Sequence, residues 1–190
     1  MNLTIEESDW INSVTSGKDS LLGYVQLVAN CPDKFRKSQQ FAFLCGNLEH
    51  YLQHAAAENN AELRTIPLEL QTRMYDAMHS IPDIDTLDNG NHDLTPDEVA
   101  WLNKVQNTTG TLTNTVDIVI SCPESYQDTL QYAFICGCLE MHLKDALATN
   151  SEDLRSISTE THGRILDAMQ NVPSFEQLGD CDQGIRPDLS

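Results

Sequence analysis

His50 and His54 stand four residues apart in a stretch that reads as a helix, the spacing at which two imidazoles on one face can grip a metal ion. No third ligand follows them, and the glutamate of an H-E-x-x-H helix is missing, so metal binding there is disfavoured. Asp83, Asp85, Asp88 and Asp93 crowd one short segment in the manner of a calcium loop. Leu87, however, occupies a ligand position of the EF-hand pattern, and the glycine that pattern needs is absent. Six cysteines occur, none in a C-x-x-C pair, which excludes zinc-ribbon and thioredoxin-type chemistry. Cys31 and Cys45 are expected to flank one helix, about 21 Å apart at the helical rise, too far to be joined. Reduced, buried thiols are the expectation. No G-x-S-x-G, P-loop or G-x-G-x-x-G is present. These residues therefore nominate no catalytic, metal-ligating or cofactor-binding group.

Charge is the stronger signal. The chain carries 29 Asp and Glu against 11 Lys and Arg, a formal net charge of −18. No basic patch is available to neutralise phosphates, which argues against direct nucleic-acid binding and against anionic membrane surfaces. A field of this sign attracts basic partners, although solubility alone would account for it equally well. No apolar run approaches the roughly 20 residues that a membrane span requires. The opening MNLTIEESDW has neither a basic nor an apolar leader region, so a cytoplasmic protein is expected.

The elements that position these residues come in two copies. Shifted by 91 residues, the sequence meets itself without a gap: Trp10 falls on Trp101, Cys31-Pro32 on Cys122-Pro123, Cys45-Gly46 on Cys136-Gly137, Arg73 on Arg164 and Pro82 on Pro173. The repeat predicts an all-α protein built as a tandem duplication of a four-helix unit, about eight helices in a pseudo-twofold body. The units are residues 1–82 and 95–178, joined by an acidic linker, 83–94, and followed by an acidic tail, 179–190. Thr4 with Glu7, and Thr95 with Pro96 and Glu98, mark the first helix of each unit as capping boxes. The second helix is ambiguous: TLTNTVDIVIS at 111–121 is β-branched and alone suggests a strand. Its counterpart SLLGYVQLVAN at 20–30 has helical periodicity, and duplicated units should share a fold. Cys31-Pro32 and Cys122-Pro123 are expected to start the third helix, and Pro82 and Pro173 to follow the fourth.

The third helices, QQFAFLCGNLEHYL and LQYAFICGCLEMHL, each hold a glycine in mid-helix, where it costs about 1 kcal/mol relative to alanine. Ala42, Cys45, Gly46 and Glu49, and likewise Ala133, Cys136, Gly137 and Glu140, form a strip of small side chains ending in a carboxylate. Such a strip suits a close helix crossing within a unit or between units. Glu49 and Glu140 are expected to pair with the recurring arginines Arg64/Arg155 or Arg73/Arg164.

From charge and architecture together, the expected function is that of a non-enzymatic binding protein. It would block a basic protein such as a nuclease or DNA-binding protein, as immunity proteins, counter-defence inhibitors and DNA mimics do. Asp83, Asp85, Asp88, Asp93, Asp97 and Glu98 are the candidate partner-binding acids. A helical scaffold or sensor holding a small ligand in an enclosed core groove near Cys45, Gly46 and Glu49 is the alternative. An enzyme of unknown type is the third reading.

Overall fold

A computed structural model of the chain describes residues 3–17, 20–88, 93–108 and 110–180, the side chains of 179 and 180 excepted. Within them the protein is all-helical. Cys181, most of the acidic tail and positions 89–92 of the linker lie outside the described residues. The first unit comprises α1 (Ile5–Thr15), α2 (Leu21–Ala29), α3 (Gln39–Ala57), a single turn α4 (Glu62–Thr65) and α5 (Leu68–Met78). The second comprises α6 (Pro96–Asn107), α7 (Leu112–Ile120), α8 (Leu130–Ala148), the short α9 (Glu152–Ser156) and α10 (Thr159–Met169), and a last turn α11 spans Gln177–Asp180. Helix starts recur 91 residues later or within one residue of that, as from Gln39 to Leu130 and from Leu68 to Thr159. No helix among the described residues is long and apolar enough to cross a membrane.

Local chemistry sets the helix ends. Both capping boxes form: Thr4 N–H donates to Glu7 at 2.7 Å and Thr95 N–H to Glu98 at 2.8 Å, while each threonine hydroxyl accepts from the glutamate's backbone. The β-branched segment is a helix, α7. Its propensity penalties run to about 0.7 kcal/mol per residue, whereas burying a valine or isoleucine yields about 1.5–3 kcal/mol. Val116, Ile118 and Val119 are all buried, so packing decides. The Thr115 hydroxyl is satisfied by the Thr111 carbonyl at 2.9 Å. In each unit a tryptophan docks the first helix on the second, Trp10 Nε1 donating to the Leu27 carbonyl at 2.8 Å and Trp101 Nε1 to that of Ile118 at 2.9 Å.

The third helix of each unit starts later than the Cys-Pro pair suggests. A 3-10 turn intervenes (Asp33–Phe35, Glu124–Tyr126), and Ser38 and Thr129 are the N-caps that start α3 and α8. The chain therefore doubles back between Cys31 and Cys45 instead of running straight along one helix. Both thiols lie in one core cluster, which corrects the expected separation along a helix. They are free, as are Cys122, Cys136 and the half-buried Cys138.

The two cores are laced together reciprocally. Phe134 and Met141 of α8, with Phe175 and Leu178 after α10, pack into the core of the first unit. Phe43 of α3, with Ile84 and Leu87 after α5, packs into the core of the second. Matching hydrogen bonds pin both exchanged segments: Gln40 Nε2 donates to the Ser174 carbonyl at 3.1 Å, and Gln131 Nε2 to that of Asp83 at 3.3 Å. The segment after each unit's last long helix thus completes the other unit's core.

Candidate functional site

The seam between the halves is the crossing of α3 and α8, and the mid-helix glycines are what allow it. A methyl group on Gly46 would overlap the Phe134 carbonyl oxygen, and one on Gly137 would overlap that of Phe43. Only a residue without Cβ permits helix backbones to approach this closely. The carbonyls exposed by the approach find new donors: Asn47 Nδ2 donates to the Gly137 oxygen at 2.8 Å and Cys138 Sγ to the Gly46 oxygen at 3.3 Å. Ala42, Cys45, Ala133 and Cys136 are fully buried around this crossing. Burial pushes the thiols of Cys136 and Cys138 up to about 12 and that of Cys45 well above its ordinary value, so none is a ready nucleophile.

One turn further on, the two carboxylates of the strip diverge. Glu140 accepts from Asn47 at 3.0 Å and pairs with Lys144 at 3.3 Å. Glu49 accepts from the neutral Gln53 at 2.8 Å. The arginines are occupied elsewhere, so the expected Glu–Arg bridges are not formed. Arg73 reaches the Ala29 carbonyl and the Asn30 side chain, and Arg164 the Ile120 carbonyl at 3.1 Å. Each thus places a cation at the negative end of the second helix of its unit. Arg64 donates to the Asn59 side chain at 2.6 Å and Arg155 to the Asn150 carbonyl at 2.8 Å.

The crossing also gathers a histidine group that no sequence spacing indicates. His50, buried on α3, shares a 2.8 Å hydrogen bond between Nε2 and Asp145 Oδ2 of α8. The ring of His142 meets that of His50 edge-on, with centroids 4.0 Å apart, and its Nδ1 lies 3.4 Å from Thr115 Oγ1. Desolvation, reinforced by the neighbouring His50, lowers the His142 pKa to about 4. His54 is exposed and pairs with Glu58 at 3.5 Å instead of sharing a ligand sphere with His50. No group of three or more side chains suited to a metal occurs among the described residues.

Beside the seam lies a cleft of about 700 Å³, bounded by the end of α5, the 3-10 turn Ile84–Leu87, α8 and one residue each of α3 and α6. Met78, Ile81, Ile84, Val105, Phe134 and Ile135 supply apolar wall, with the carboxylates of Glu49 and Asp83 among the polar lining. It is an open cleft spanning both units, which differs from the sealed core groove expected within each one. Tyr75, at its edge, is 52% exposed.

The surface charge is divided unequally between pairs and solvent. Of the described lysines and arginines, all but Lys37 meet an acceptor within the fold. Besides the arginines above, Lys34 pairs with Glu7, Arg36 with Asp33, Lys104 with Asp117 and Lys144 with Glu140. Many exposed carboxylates form no salt bridge among the described residues, including Asp9, Glu62, Asp76, Asp128, Glu160 and Asp167. Of the acids singled out from the sequence, Asp83, Asp85, Asp88, Asp93 and Asp97 are exposed, and Asp85 accepts from Gln106 at 2.6 Å. Glu98 is the exception and corrects the expectation of a surface role. It is buried, accepting from Thr95 and, at 2.6 Å, from the Ser125 hydroxyl, because its carboxylate closes the α6 capping box.

Compared with known proteins, the chain matches no family model, no curated protein and no solved structure.

Proposed function

We propose that this protein is a non-enzymatic, acidic helical binding protein that blocks a basic, nucleic-acid-handling protein, in the manner of an immunity protein, a counter-defence inhibitor or a DNA mimic. The observation that carries the reading is the division of charge. Among the described residues the few cations, Lys37 excepted, are engaged by acceptors within the fold, while carboxylates outnumbering them face solvent. A surface of that kind accelerates encounter with a cationic groove and disfavours anionic competitors. The body beneath it suits the role, because the reciprocal lacing of two cores holds the carboxylates on a rigid frame. The raised thiol pKa values and the satisfied partners of His50 and Glu98 support a structural use for the groups that would otherwise suggest catalysis.

The reading is tested by competition. A panel of basic nucleases and DNA-binding domains, each preloaded with fluorescent duplex DNA, is titrated with the protein. At least one member is expected to release its DNA stoichiometrically. Ternary complexes in which the partner keeps its DNA would overturn the proposed mode of action.

A further inference from the structure

The 91-residue repeat gives residues of this cleft matching positions in the other unit, and comparison of the two sets shows what the cleft is suited to hold. Phe175 stands at the position matching Ile84 and packs edge-on against Trp10 at 6.3 Å. Asp83 is replaced there by the neutral Ser174. The strip carboxylate of that side, Glu140, is neutralised by Lys144, whereas Gln53 stands at the matching place beside Glu49. The cleft of about 700 Å³ thus joins an apolar wall to two carboxylates, with His79 as the one basic side chain in its lining and no lysine or arginine. Its size lies in the range that encloses several large apolar groups. Apolar surface left open beside unneutralised carboxylates is complementary to a segment that is itself apolar along one stripe and cationic at its borders.

We propose that this cleft is the docking site for a basic amphipathic helix of the partner. Its large apolar side chains enter between Met78, Ile84, Phe134 and Ile135, and its flanking lysines or arginines pair with Glu49 and Asp83. Tyr75 closes over one edge of the bound helix. This rests on the reading of the protein as a binder of basic partners and locates the contact within it: the rest of the acidic surface steers, and the cleft anchors.

The test uses the full chain and a fluorescein-labelled peptide of leucine and lysine arranged at helical spacing, read by anisotropy at low salt. A scrambled peptide of the same composition and an oligolysine of equal charge are the comparisons. The amphipathic peptide is expected to bind about tenfold tighter than either. Glu49→Gln combined with Asp83→Asn should weaken it about tenfold, and Tyr75→Ala severalfold. Glu62→Gln combined with Glu160→Gln, which removes equal charge from exposed positions outside the cleft lining, should leave the preference for the amphipathic peptide intact. Circular dichroism establishes that each variant is folded. If the three peptides bind alike, or if the cleft variants behave as the pair outside the lining does, the docking site is wrong while the acidic-binder reading stands. If no basic peptide binds at low salt, both fall.

Discussion

At His142, burial and the neighbouring His50 ring both disfavour the imidazolium, and Asp145 only partly offsets them. The folded pKa, about 4, lies below the ordinary 6.5, so the unfolded chain takes up a proton more readily than the folded one. Stability from this group is therefore complete above about 6.5 and is lost as pH falls toward 4. Urea denaturation between those limits should show a declining midpoint, and His142→Gln should flatten that decline. An equally steep decline in the variant would remove His142 from the account. The site faces the α3–α8 seam, so acid should loosen the contact between halves before it melts peripheral helices.

At the scale of elements, the decisive feature is the glycine pair that lets α3 and α8 touch. Gly46→Ala would ordinarily add about 1 kcal/mol of helix stability. Here the added methyl meets backbone, which cannot rotate away, and the resulting overpacking costs about 1–3 kcal/mol or more. A net destabilisation of about 2 kcal/mol in chemical denaturation is expected for Gly46→Ala; a stabilised variant would show that the helices do not cross there. Much of the helical frame was legible in the sequence because its signals are local. The threonine caps of α1 and α6 and the 3.6-residue periodicity of α3 and α8 lie within a few residues of what they specify. The repeat itself resolved α7, which read alone pointed to a strand. What was not legible depends on contacts far apart in the chain. His50 meets Asp145 across a separation of 95 residues, and Arg73 reaches back 44 residues to the Ala29 carbonyl at the end of α2 rather than pairing with the glutamate of the strip. The late start of α3 was hidden because Pro32 introduces a 3-10 turn as readily as a helix, and that turn brings Cys31 back into the same core as Cys45. Glu98 reads as a surface acid because a capping glutamate looks the same in sequence whether its carboxylate faces water or, as here, the Ser125 hydroxyl.

At the scale of the whole molecule, the exchange of terminal segments makes the halves interdependent. Phe175 and Leu178 complete the first core, and Ile84 and Leu87 the second. A chain cut at a protease site inserted between residues 88 and 93 should therefore stay together in size-exclusion chromatography without denaturant; halves that elute separately would contradict the laced architecture. The chain carries a formal net charge of −18, and among the described residues most carboxylates are exposed while the cations are largely spent within the fold. Long-range attraction between exposed charges is sensitive to screening, which contracts from about 10 Å at 0.1 M salt to about 3 Å at 1 M. The most direct measurement is the dissociation constant for a basic nuclease or DNA-binding partner across that range. Affinity should fall by about tenfold or more as salt rises. An affinity that stays flat would mean that the negative surface keeps the protein dissolved and does not recognise a partner.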